Sequence, residues 1–340
     1  MSASKFDEAK SQIARAIAHW EEASPSAPKV ALLLRSLFHD YYWELEKLYS
    51  NETIVPLFEQ FVGLIGEQIV RPYSFAPYHK KITAPYNYEQ FGKEFVRLLI
   101  DFPKSQLLGK KSLLHMEQAL KKGDNVFLFA NHQTELDPQI MSLLLAEEAP
   151  FLQERLTFVA GERVLKDPIA APFSMGCSLF CIYSRKYIDI PLERKVEKQA
   201  HNKRTIHILQ KALSEGGVCI FVAPSGGRDR KNTEGAPTVA PFEEKSIALF
   251  TLLAKKAEIP HHLVPVALDT YNLAPPPEER QWEIGERRRV KRVPVGLLFG
   301  EELELTYSGG SRQQERAEIC AKVYEQVLQG YATLMQEKNR

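Results

Sequence analysis

The sequence lacks a long apolar run. Nowhere does it approach the roughly 18 unbroken apolar residues of a membrane span, and its longest candidate, FSMGCSLFCIY, is short and interrupted by Gly176. It also lacks an excess of either charge: 44 Lys and Arg face 43 Asp and Glu, for a net charge of +1. Bulk attraction to nucleic acid is therefore excluded, and anion specificity has to come from local clusters. Cysteine is scarce. Cys177, Cys181, Cys219 and Cys320 include no CxxC pair, which excludes a zinc ribbon or a dithiol redox motif. Three of the four lie in or near apolar, strand-like runs, so reduced core thiols in a reducing compartment are expected. Internal repeats and low-complexity segments are absent. The first residues, MSASKFDEAK, carry acids and no apolar stretch, unlike a secretory signal or an Arg-rich transit peptide. If the protein works in an organelle, the expectation is that its address has been removed.

What remains is a chain of 340 residues with 44% hydrophobic and 26% charged residues, enough for one large domain and an appendage. Residues 5–70 read as three amphipathic helices. In the first, Phe6, Ala9, Ile13, Ile17 and Trp20 recur three and four apart, the spacing of one helical face. The stretch 71–88, rich in Pro and Tyr, reads as a linker. Beyond residue 110 short apolar runs alternate with helical patterns: NVFLFA, PQIMSLLLAEEA, TFVAG, SLFCIY, a charged helix over about 193–214, VCIFVAP, EKSIALFTLLAKKAEI, HLVPVAL and one or two late strands in VPVGLLFGEELEL. That alternation predicts an α/β fold with a large, mostly parallel or mixed sheet flanked by helices, preceded by a small N-terminal helical bundle. The expected domains are a bundle at 1–75 and an α/β domain at 76–340.

Ligands of open α/β sheets lie beyond the carboxyl ends of the strands, and three such ends carry useful residues. VFLFA delivers NHQTELDP. There Asp137-Pro138 reads as a helix start with Asp as N-cap, and a short turn can fold the Asp137 carboxylate back onto the His132 imidazole. A carboxylate partner fixes the tautomer of a histidine base and stabilises its imidazolium. A capping aspartate beside a loop histidine is the plainer reading. Zinc is disfavoured, because no His-Glu-x-x-His spacing or neighbouring cysteine completes a site around His132. VCIFV delivers APSGGRDR. There Ser225 and two glycines can bring amides to an anion, and Arg228 and Arg230 add bidentate donors. The P-loop pattern is absent, so a phosphate fits better than a nucleoside triphosphate. SLFC delivers IYSRKY, with Arg185 and Lys186 where the strand runs out. Each cationic cluster alone reads equally well as a solvated loop. Together, one base and two cationic clusters point to deprotonation of a hydroxyl on a phosphorylated substrate.

NHQTELDP, GCSLFCIYSRK, FVAPSGGRDR and HLVPVAL resemble the four blocks of the glycerolipid acyltransferases. Added to VAGERVLKDP, APFSMG, VAPF and APPPE, they look like the soluble, plastid-type glycerol-3-phosphate 1-O-acyltransferases, over about residues 85–305. The resemblance implies acyl transfer from acyl-[acyl-carrier protein], or acyl-CoA, to the 1-hydroxyl of glycerol 3-phosphate, giving lysophosphatidic acid. It implies His132 as base, Asp137 as its partner, and Lys186, Arg228 and Arg230 as phosphate ligands, with Tyr187 and Ser225 beside them. Plant members carry a histidine after the lysine; Tyr187 offers one hydrogen bond and no charge. No cofactor or metal is expected, since phosphopantetheine arrives on the donor. No acyl-enzyme is expected either: Ser225 has no G-x-S-x-G elbow and reads as a turn residue. The run Arg287–Arg292 offers a docking patch for acidic acyl carrier protein, a solvated strand, or contact with an anionic membrane surface. The acyl pocket is expected from FSMGCSLF and the helix after Asp137. A monomer in the plastid stroma or bacterial cytoplasm is expected. Other readings are a lysophosphatidate acyltransferase and a non-catalytic phosphometabolite or acyl-carrier binding protein.

Overall fold

The computed structural model describes residues 2–277, 286–304 and 311–338, apart from the side chains of residues 2–4 and 186. Helical periodicity places the first elements: α1 (Ser2–Ala18), α2 (Ala27–Leu45) and α3 (Asn51–Val70). The stripe Ala9, Ile13, Ile17 is buried, and α1 packs on both α2 and α3. By length and composition α3 would suit a membrane span, but half of it is buried inside the protein. The indole of Trp20 lies so close to Gly66 that a Cβ there would fall 2.4 Å from the ring, so only glycine admits that contact.

Residues 71–88 are not the linker their composition suggests. They contain an edge strand, β1 (Tyr78–His79). The buried His79 ring holds the segment in place, with Nδ1 2.7 Å from the Tyr73 hydroxyl and Nε2 3.2 Å from the Met175 carbonyl. A buried imidazole bonded at both nitrogens outweighs the turn propensity around it. A single apolar cluster then runs from the three helices into the sheet, including Ile13, Phe38, Phe61, Phe95, Phe173 and Leu128.

The rest of the chain is α4 (Tyr88–Arg97), β2 (Gln106–Leu108), α5 (Lys110–Lys122), β3 (Asn125–Ala130), α6 (Asp137–Leu145), α7 (Pro150–Arg155), β4 (Leu156–Ala160), α8 (Arg163–Lys166), α9 (Ala171–Met175), β5 (Ser178–Cys181) and α10 (Lys195–Glu215), continuing with β6 (Cys219–Val222), β7 (Arg230–Lys231), β8 (Pro237–Thr238), α11 (Glu244–Lys256), β9 (His261–Asp269), β10 (Gly296–Phe299) and α12 (Arg312–Lys338). Eight strands form one sheet in the order β1-β5-β4-β6-β3-β9-β10-β2. The five from β5 to β9 are parallel, while β1 and β10 run antiparallel to their neighbours β5 and β9. Of the late apolar run, β10 is one strand, and position 305 lies outside the described residues.

Strand β3 is buried along its whole length. Because side chains alternate across a strand, Val126, Leu128 and Ala130 join the cluster shared with the N-terminal helices. Phe127 and Phe129 join the opposite layer, with Leu209 and Leu213 of α10 and Ile247 and Phe250 of α11. The sheet therefore has helices on both faces, and its chemistry is confined to the strand ends.

Candidate active site

The loop after β3 carries the first cluster. His132 Nδ1 lies 2.8 Å from Asp137 Oδ2. The Asp137 side chain is 1% exposed and that of His132 28%, so the carboxylate is sealed while the ring reaches the surface. The same carboxylate accepts the Gln133 amide at 2.9 Å and the Thr270 hydroxyl at 2.6 Å. These bonds explain a correction. Asp137 is not an N-cap; it is the first residue of α6, whose cap position is Leu136 and receives no side-chain bond. The carboxylate points back to the turn because the imidazole, the Gln133 amide and Thr270 use its oxygens.

The second cluster is joined to the first by Asp229. Its amide donates to the His132 carbonyl at 2.6 Å. Its carboxylate accepts from Asn131 at 2.9 Å, Gln133 at 3.2 Å and the Ala240 amide at 2.9 Å. Burial raises the Asp229 pKa, against the pull of these donors and of His132. Arg228 and Arg230 flank this residue, each with its Cα about 3.8 Å from that of Asp229. Neither guanidinium is idle. Arg228 Nη2 lies 2.5 Å from Glu286 Oε1, and Arg230 donates to the Pro277 carbonyl. The buried Ser225 hydroxyl donates to the Gly227 carbonyl at 2.8 Å, which makes it a brace of the turn.

The third cluster lies on a short 3₁₀ turn, Arg185–Tyr187, beyond β5. The Lys186 side chain lies outside the described residues. Tyr187 is 36% exposed. Since β5 is three places from β3 in the sheet, this turn sits about 14 Å along the edge from the histidine. Arg194, after the turn, pairs with Glu162 at 3.8 Å. Next along the chain, Arg163 reaches Glu286 at 3.5 Å, the carboxylate that also holds Arg228.

The run Arg287–Arg292 is not a uniform basic patch. Burial alternates there: Arg287, Arg289 and Lys291 are exposed, while Glu286 and Val290 are buried and Arg288 and Arg292 are half-buried. Arg288 ion-pairs with Glu135 and, at 3.1 Å, with Asp167. Burial opposes its charge, but the carboxylates of Glu135, Asp167 and Glu286 outweigh burial and raise its pKa. Arg292 pairs with Asp101 at 3.1 Å. Only the three outward cations are open to a partner.

Between these ion pairs and the N-terminal helices lies a cavity. Leu37, Phe95, Leu136, Ile169, Phe173 and Val290 form its apolar wall, and Glu135, Arg228, Glu286, Arg288 and Arg289 its polar side. Of the segments expected to build an acyl pocket, Phe173 lies in the wall and Leu136 just before α6. Leu37 of α2 brings in the bundle. The thiols take no part: burial pushes Cys177 and Cys181 up to about 12, leaving them protonated near neutral pH.

Asp229, Thr270 and Glu286 were missed by sequence reasoning, and Arg288 was read only as part of an outward basic run. Thr270 had a signal, a polar residue straight after a buried strand. The period-2 pattern of Glu286, Arg288 and Val290 was another. Asp229, between two arginines, had none beyond its charge.

A family profile described as Acyltransferase matches residues 111–269. The chain is 36% identical over 289 residues to the chloroplastic glycerol-3-phosphate acyltransferase of Arabidopsis thaliana, covering 84% of this chain and 63% of that protein. It is 34% identical over 322 residues to the chloroplastic glycerol-3-phosphate acyltransferase ATS12 of Cucurbita moschata, covering 92% of this chain and 69% of that one. The chain thus spans about two thirds of the length of these curated relatives. A looser likeness, with a TM-score of 0.40 and 19% identity over 89% of this chain and 96% of the other, is to the crystal structure of the 1-acyl-sn-glycerophosphate (LPA) acyltransferase PlsC from Thermotoga maritima.

Proposed function

This chain belongs to the glycerol-3-phosphate acyltransferase family, and on that premise we propose that it moves an acyl chain from acyl-[acyl-carrier protein], or acyl-CoA, to the sn-1 hydroxyl of glycerol 3-phosphate. The observation that carries the proposal is the 2.8 Å contact between the His132 ring and the sealed Asp137 carboxylate, with Arg228 and Arg230 flanking the residue bonded to the His132 carbonyl.

The chemistry follows from the tautomer. A carboxylate at Nδ1 keeps the proton on that nitrogen and leaves the lone pair on Nε2. Nε2 takes the proton of the substrate hydroxyl as its oxygen attacks the thioester carbonyl. The tetrahedral intermediate collapses, the C–S bond breaks, and the imidazolium returns its proton to the departing thiolate. Asp137 stabilises the imidazolium between these steps. The Arg228 and Arg230 guanidiniums hold the phosphate, with Lys186 and Tyr187 along the same edge and Ser225 shaping the turn. Leu136 and Phe173, at the two segments expected to receive the acyl chain, meet in the apolar wall of the cavity beside Arg228. Arg287, Arg289 and Lys291 face outward, where an acidic carrier protein would dock. The chloroplastic names of the relatives support a plastid setting.

The discriminating experiment offers purified protein acyl-[acyl-carrier protein] with either glycerol 3-phosphate or lysophosphatidate. Acylation of glycerol 3-phosphate at the 1-position is expected; preferential acylation of lysophosphatidate, or none of either, overturns the proposal. Arg228→Ala tests the phosphate role. A hydrogen bond to a charged group contributes about 1.5–3 kcal/mol, so KM for glycerol 3-phosphate is expected to rise roughly 10–100-fold with KM for the donor unchanged. A change confined to the donor contradicts the assignment.

A further inference from the structure

We propose that His115, His262 and Glu302 bind one zinc ion at the end of the sheet opposite the acyl-transfer site. His262 is the second residue of β9, its register partner is Val126, the second residue of β3, and His132 follows the far end of that strand. About six residues of strand, roughly 20 Å, separate the two places. The three side chains come from α5, β9 and the turn after β10, and their ligand atoms all lie within 4.8 Å of one another. His262 Nδ1 is 2.8 Å from Glu302 Oε1, and His115 Nε2 is 3.8 Å from Glu302 Oε2. Around a tetrahedral zinc, with ligands at about 2.0–2.2 Å, donor atoms stand roughly 3.3–3.5 Å apart. The observed separations bracket that figure. The side chains of His115 and Glu302 are 59% and 39% exposed, so both can adjust to it.

A second observation sets this trio apart from a chance surface contact. The other ring nitrogen of His262, Nε2, lies 3.0 Å from the Asp124 carboxylate. A metal-bound histidine usually donates its second N–H to a carboxylate, which fixes the tautomer and strengthens the ligand. Here that carboxylate is supplied from the turn between α5 and β3, and the two histidine rings meet edge to face at 5.5 Å. Two imidazoles and a carboxylate suit zinc, whereas magnesium prefers oxygen ligands. The fourth position is left to water. Bound zinc would tie α5 to the antiparallel β9–β10 pair.

The test is calorimetric titration of the untagged full chain with Zn²⁺, with Co²⁺ as an absorbance probe and Mg²⁺ as control. One tight zinc per chain is expected, with tetrahedral Co²⁺ bands and no competition from Mg²⁺. His115→Ala and Glu302→Ala should abolish this binding, and Asp124→Asn should weaken it about 10–100-fold without changing the stoichiometry. Acyl transfer should be unaffected by these changes, so the result does not depend on the proposed activity. If the wild-type chain binds no zinc, or binds it no more tightly than the His115→Ala chain, the cluster is an imidazole held between two carboxylates and the proposal is overturned.

Discussion

Asp137→Asn lowers the rate of acyl transfer by about 10⁴-fold while the chain stays folded. The size follows from the tautomer argument: the same exchange at a histidine–aspartate pair in serine proteases has that effect with the geometry intact. An asparagine amide can present N–H to His132 Nδ1, which moves the ring proton to Nε2 and removes the lone pair that accepts the substrate proton. The bond from the Thr270 hydroxyl, now 2.6 Å to Asp137 Oδ1, can persist to the amide oxygen and hold the side chain in place. The expected signature is a fall in kcat with KM for glycerol 3-phosphate nearly unchanged, because the proposed phosphate ligands Arg228 and Arg230 lie on a different loop. Equal loss of kcat and substrate affinity would mean that Asp137 acts only as a strut for the turn.

Arg288→Met destabilises the fold by about 3–5 kcal/mol, the usual penalty for removing one partner of a buried ion pair. The guanidinium lies between Glu135 and Asp167, whose side chains are 17% and 4% exposed. Without it the Glu135 and Asp167 carboxylates lose the cation they share. The loss would be read as a lower urea midpoint. The triple change Arg288→Met, Glu135→Gln, Asp167→Asn should recover most of it, since the penalty comes from uncompensated charge rather than lost volume. Failure of the triple change to recover stability would place the effect in packing.

Much of the fold was legible because it rests on periodicity. The stripe from Ala9 to Ile17 and the unbroken run NVFLFA each admit one reading, and both elements formed as expected. The His132–Asp137 pair was legible for a related reason: a strand end followed by a short turn leaves few places for a carboxylate to go. Residues whose meaning depends on distant partners were not legible. Arg288 reads as surface charge until Glu135, 153 positions away, is brought beside it. His79 lies in a Pro-rich stretch, and only its bond to the Met175 carbonyl makes that stretch structural. Asp229 likewise draws its role from Asn131 and Gln133 on another loop.

The most direct test of His132 as the base is a single-turnover assay of the wild-type and His132→Ala chains, each with saturating acyl-[acyl-carrier protein] and glycerol 3-phosphate. General-base assistance contributes about 10²–10⁴-fold, so the variant should form 1-acyl product at least about 100-fold more slowly. Rates within a few-fold of each other would show that another group takes the proton.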